Sequence, residues 1–180
     1  KTTKCKIKNE FYIAITYDTK TRNPVVIASS LGGVDIEETK RAHPDKVIIE
    51  QINILTGITE HEAKHILNKA GINNSDMIAL LQKLYTIFMN KDMKLLEINP
   101  LAEVIPYQKS SHERCEYELF CLDAKIILDD DALYRQEISF PQRIGTGREK
   151  TEREKAANKI SNSDHRGIAG KTFIDLHGDI

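Results

Sequence analysis

Two stretches, MKLLEINPLAEV at 93–104 and EYELFCLDAKI at 116–126, decide how this chain folds. Both read as β-strands, and the polar run between them makes them the arms of an antiparallel hairpin. With the loop centred on Ser111, Asn99 faces Asp123 and Glu97 faces Lys125. Side chains alternate along a strand, so these four share one face, while Leu96, Ile98, Leu122, Ala124 and Ile126 share the other. Directly opposed residues hold their Cβ atoms about 5 Å apart. A carboxylate and an amide carbonyl that close are hard oxygen ligands. Mg²⁺ takes one or two such protein groups and completes its shell with water and phosphate. The same pattern also suits a solvated sheet face with an ordinary Glu–Lys pair.

Outward from this hairpin, strand and helix patterns alternate. Residues 10–17 (EFYIAITY) and 24–30 (PVVIASS) predict a second hairpin, turned by Asp18–Asn23. Leu31-Gly32-Gly33-Val34 breaks the strand, and Asp35 caps a short acidic helix to about Arg41. Lys46–Gln51 reads as a strand. Thr59–Lys69 reads as a helix that Gly71 can end, and Ser75–Met89 as a helix capped by Ser75, with Ile78, Leu81, Leu84, Tyr85 and Phe88 on one stripe. A charged helix over Arg148–Ile160 and a strand over Lys171–Leu176 complete the pattern. The predicted class is α+β, an antiparallel sheet with helices packed on one side.

The composition excludes several functions. The 180 residues carry 26 Lys+Arg against 27 Asp+Glu, a net charge of −1, which argues against coating nucleic acid or membrane by charge alone. Hydrophobic residues make up 40%, a globular balance, and no apolar run is long enough for a membrane span. A chain of this length suits one domain. Cys5, Cys115 and Cys121 form no C-x-x-C pair and read as reduced thiols of a cytosolic protein.

Two motifs offer rival functions. His61-Glu62-Ala63-Lys64-His65 matches H-E-x-x-H, in which paired histidines hold zinc and the glutamate acts as base. It lacks a third ligand at the metzincin spacing, and a surface helix explains it as well. Arg143–Lys159 holds six basic residues, but Glu149, Glu152 and Glu154 interleave and no aromatic platform accompanies them, so no nucleic-acid partner is expected.

The chain resembles the β subunits of succinyl-CoA synthetases, within the ATP-grasp superfamily. Glu10-Phe11-Tyr12 precedes a strand ending in Asp18. Ala28-Ser29-Ser30-Leu31-Gly32-Gly33-Val34-Asp35-Ile36-Glu37 is similar to the family's S-x-x-G-G-V-[DE]-I-E. Leu96–Leu101 is similar to E-I-N-P-L, and Leu122–Lys125 with Asp131–Gln136 to D-A-K…N-A-L-F-R-Q. The likeness runs from about Glu10 to Ile180. It departs from the family at Thr2, where an acidic hinge residue is usual, and at His177 and Asp179, where the closing motif reads L-D-G-N-I-G.

The resemblance implies an acid–thiol ligase of the ADP- or GDP-forming kind. Asn99 and Asp123 would bind the Mg²⁺ of ATP or GTP, Glu97 would assist phosphoryl transfer, and Glu10 would contact the nucleotide. It implies a partner α subunit carrying a phosphohistidine and the coenzyme A site, and a small carboxylic acid as substrate. Succinate, another short acid and the citrate of ATP-citrate lyases all fit. The implied location is the cytoplasm, or the mitochondrial matrix in a eukaryote. In that family residues 1–180 correspond to one lobe of the ATP-grasp domain. With Lys1 at its start and Ile180 at its end, the chain reads as a piece that lacks the nucleotide-covering lobe and the CoA-ligase domain, inactive alone.

Overall fold

The computed structural model describes residues 5–106, 117–137 and 151–163. The chain divides into two compact units, Lys1–Glu137 and Ile138–Ile180. In the first, strands β1 (Cys5–Tyr17), β2 (Pro24–Ser29), β3 (Val47–Gln51), β4 (Met93–Pro106), β5 (Glu118–Cys121) and β6 (Ala124–Leu128) form one antiparallel sheet. Its order is β3-β2-β1-β4-β5, with β6 also on β4. Helices α1 (Ile36–Ala42), α2 (Glu60–Lys69) and α3 (Asp76–Asn90) complete the unit. In the second unit the described element is helix α4 (Glu152–Ser163).

The long strands β1 and β4 form the spine. Their alternating residues Phe11, Ile13, Ile15, Leu96, Ile98 and Leu101 enter the core and meet Ile66, Leu67, Met77, Leu81, Tyr85 and Phe88 from α2 and α3. One apolar stripe per helix and one apolar sheet face make this two-layer packing stable. The architecture is the α+β one the periodicity predicts.

Several boundaries have physical causes that the pattern did not show. Ser75 stands at the N-cap of α3 but makes no side-chain cap bond. Instead Asn74 Oδ1 accepts from the Asp76 N–H at 2.9 Å, so the cap lies one residue earlier. Helix α2 carries a full capping box, Thr59 with Glu62. Its last carbonyls are closed by Gly71 N–H to Asn68 and Ile72 N–H to Leu67, so Gly71 ends the helix as expected. The strand predicted over 116–126 is two strands, β5 and β6, interrupted at Leu122–Asp123. Of the charged helix predicted over Arg148–Ile160, residues 152–160 are helical, while residues 148–150 and the strand at 171–176 lie outside the described residues.

Candidate functional site

The interruption of the β5/β6 arm lies beside an irregularity in β4. Along β1, Phe11 pairs with Leu101 and Ile13 with Ile98, which leaves Tyr12 alone opposite both Asn99 and Pro100. This is a β-bulge, and proline explains its place: without an N–H, Pro100 cannot continue the ladder. On the other edge, Leu101 pairs with Cys121, Ile98 with Ala124 and Glu97 with Lys125. That register is the one centred on Ser111. Across the break, Asn99 N–H donates to the Asp123 carbonyl and Leu122 N–H to the Pro100 carbonyl, each at 3.1 Å. The bulge thus sets Asn99 beside Asp123, with Glu97 two residues away.

A loop packs against this place. Gly32 N–H donates to the Glu10 carbonyl at 2.9 Å. Gly33 N–H donates to Asn99 Oδ1 at 2.7 Å, and Asn99 Nδ2 donates to the Val34 carbonyl at 3.0 Å. Both glycines are structurally required. A Cβ on Gly32 would lie 2.5 Å from the Phe11 carbonyl oxygen, and Gly33 has φ +72°. A Cβ on Gly33 would stand 3.2 Å from Glu10 Oε2 and 3.9 Å from Pro100 Cγ. Gly33 therefore marks where the side chains of Glu10 and Asn99 approach one loop.

Sequence reasoning missed Tyr12. It shares strand parity with Glu10 and Ala14, away from the core residues Phe11 and Ile13, and the strand alternation contained that signal. Its hydroxyl is raised well above the ordinary tyrosine range, first by burial, then by the charge and hydrogen bond of Glu97 and the charge of Asp35. Nearby, burial and the Asp123 charge push the Cys121 thiol up, which disfavours the thiolate a nucleophile needs.

Glu97 and Asn99 are half-buried, and Asp123 and Lys125 are exposed. Among the described residues no three His, Cys, Asp or Glu side chains converge on a metal position. The Asn99–Asp123 pair fits a different kind of site, since two hard oxygens suit an open Mg²⁺ position completed by water and phosphate. Asn99 Oδ1 spends one lone pair on Gly33 and keeps the other.

The H-E-x-x-H reading meets a direct obstacle. Glu62 Oε2 accepts from the Thr59 N–H at 2.8 Å and from the Thr59 hydroxyl at 2.7 Å. Those bonds hold its carboxyl below the ordinary range, opposite to what a general base needs. The carboxylate belongs to the start of α2, with His61 and His65 exposed beside it.

The D-A-L-Y-R-Q stretch has a structural task. Arg135 and Gln136 both donate to the Asp92 carboxylate at the end of α3. In α4 Lys155 pairs with Glu152 at 2.7 Å, as interleaved charges on a solvated helix do.

Residues 2–103 match the ATP-grasp domain family. The chain belongs to that family. This ATP-grasp chain is 35% identical over 180 residues to the succinate–CoA ligase [ADP-forming] subunit beta, mitochondrial, of Oryza sativa subsp. japonica, covering 98% of the chain and 38% of that protein. It is 34% identical over 177 residues to the succinate–CoA ligase [ADP-forming] subunit beta of Desulfurococcus amylolyticus, covering 97% of the chain and 41% of the relative. It thus spans about two fifths of the length of these relatives. Among solved structures, the ATP citrate lyase of Methanothrix soehngenii, in complex with citrate and coenzyme A, has the same fold. Its TM-score is 0.57 at 24% identity, over 89% of this chain and 34% of that one. Among the described residues, no helix is long and apolar enough to cross a membrane.

Proposed function

We propose that the chain is part of the β subunit of an NDP-forming acyl-CoA synthetase, with succinate as the acid. The observation that supports this reading is the Asn99–Pro100 bulge, where the Asn99 N–H bonds the Asp123 carbonyl and the two residues stand side by side on the strand edge that carries Glu97. Asn99 and Asp123 would hold Mg²⁺ there, and the bound ion would neutralise charge on the nucleotide phosphates. Glu10, beside Gly33, contacts the nucleotide. Glu97, held on β4 opposite Ala14, faces the histidine of a partner α subunit and orients it while the phosphoryl group moves. The acid then receives that group, and coenzyme A displaces phosphate from the acyl phosphate. Most of the rate gain in such a transfer is positioning and electrostatics, which is what a rigid sheet supplies. The similarity to succinate–CoA ligase β subunits along nearly the whole chain supports the same reading.

The test is coenzyme A- and acid-dependent NDP formation by the assembled two-subunit enzyme, with succinate and citrate compared. Asp123→Ala is expected to lower the rate by on the order of 100-fold, the cost of losing one preorganised charge-stabilising group. An unchanged rate would remove Asp123 from the metal site. A rate seen only with citrate would overturn succinate as the acid.

A further inference from the structure

Asparagine is the weaker of two choices at a cation site. Aspartate offers the same reach with a full negative charge, yet position 99 holds an amide. The loop explains why. Asn99 uses both ends of its side chain on adjacent residues, accepting at Oδ1 from Gly33 N–H (2.7 Å) and donating from Nδ2 to the Val34 carbonyl (3.0 Å). The pair of bonds itself assigns the amide. A flipped amide would set donor against donor at Gly33 and acceptor against acceptor at Val34. A carboxylate at 99 could still accept from Gly33, but its second oxygen would face the Val34 carbonyl with no proton between them.

We propose that the Gly33–Val34 backbone is a positioning element that requires an amide at residue 99 and fixes which end of it is available to a cation. The nitrogen is turned to Val34, and the oxygen keeps a single lone pair for a ligand. Gly32 and Gly33 let the loop come this close, the first by lacking a Cβ against the Phe11 backbone and the second by its φ of +72°. The selectivity for amide over carboxylate follows from the loop alone. Its use in cation binding rests on the reading of Asn99 as a metal ligand given above.

The experiment separates the two. In the 180-residue chain without metal, hydrogen exchange by NMR should show the Asn99 side-chain amide proton bonded to Val34 protected about tenfold relative to free asparagine, as a persistently formed hydrogen bond gives. Exchange at the free rate would overturn the lock. In Asn99→Asp the displaced loop should release the Gly32 N–H bond to Glu10, raising Gly32 exchange about tenfold. Titration with Mn²⁺, followed by its electron paramagnetic resonance signal, should show this variant binding no more tightly than the wild type despite the added charge. Tighter Mn²⁺ binding with Gly32 exchange unchanged would overturn the proposal. Absence of Mn²⁺ binding by the wild-type chain would count against Asn99 as a metal ligand, while the two exchange measurements would still decide the amide lock.

Discussion

The Tyr12 hydroxyl, on a residue only 3% exposed, lies close enough to the Glu97 carboxylate of the neighbouring strand for that charge to raise its pKa further, after burial. It adds a side-chain contact to the ladder pairing of Glu97 with Ala14 of β1. Tyr12→Phe should cost about 1 kcal/mol at neutral pH, the usual net value of a buried hydroxyl's polar contact, read as a shift in the urea midpoint.

Burial of tyrosines sets an alkaline limit. Tyr12, Tyr17 and Tyr85 are all raised above the ordinary tyrosine value of 10.0, chiefly by burial. Above about pH 10 the unfolded chain therefore releases protons that the folded one retains, and stability falls as pH rises. Below that value the contribution is fully present. Urea titrations between pH 9 and 11 should show this decline (roughly the interval in which free tyrosine ionises), and Tyr12→Phe should make it shallower.

Glu103 is a buried carboxylate, 5% exposed, with a structural rather than a chemical task. It accepts from Asn9 Nδ2 at 2.6 Å and Asn74 Nδ2 at 2.9 Å, with Lys8 at 3.8 Å. Asn74 in turn caps α3 through Asp76 N–H. Glu103→Ala removes the charged acceptor of two part-buried amide bonds and loosens that cap, so it should cost about 2 kcal/mol in chemical denaturation.

Helix α2 offers a test of the zinc reading. Thr59→Ala removes half of the capping box and should cost about 1 kcal/mol. Because the Glu62 carboxyl is lowered by the Thr59 backbone and hydroxyl, its contribution is present above the ordinary value of 4.5 and lost as pH falls through the lower folded value. Replacing His61 and His65 together by Ala should change stability by less than about 0.5 kcal/mol. Zn²⁺ should shift the melting temperature of the double variant no less than that of the wild type. A zinc-induced rise confined to the wild type would restore the metal reading.

What was legible in the sequence was what strict alternation controls. The first hairpin follows from periodicity and the register taken about Ser111 is the one observed; in α3 Leu81, Tyr85 and Phe88 are buried as expected, while Met77 joins them and Ile78 and Leu84 are only partly buried. The break at Leu122–Asp123 was not legible, because it answers a bulge in the opposing strand rather than any turn signal of its own. The cap of α3 moved to Asn74 because its side chain takes the Asp76 N–H, while the Met77 and Ile78 N–H groups a Ser75 cap would use already go to backbone carbonyls. The resemblance pointed to Glu10, Glu97, Asn99 and Asp123, but not to what holds them. Tyr12 and the Gly33–Val34 contacts depend on how a loop folds back onto distant strands, the Gly33 donor and the Asn99 acceptor standing 66 positions apart in sequence.

The two glycines of that loop should respond differently to alanine, and the order of the effects tests the geometry. At Gly32 the new Cβ would lie 2.5–2.7 Å from the Phe11 backbone. Backbone in a central strand cannot step aside, so the loop itself must lift. Its cost should reach the upper end of the roughly 1–3 kcal/mol seen for overpacked sites, or exceed it. At Gly33 the nearest atom is Glu10 Oε2 at 3.2 Å, the far end of a flexible side chain that can swing away. What remains there is the left-handed backbone, about 1–2 kcal/mol for an L-residue. Gly32→Ala should therefore destabilise more than Gly33→Ala, measured by urea unfolding, and should also abolish protection of the Asn99 side-chain amide. Equal costs, or protection retained in Gly32→Ala, would mean that the loop does not press on β1 as the structure has it.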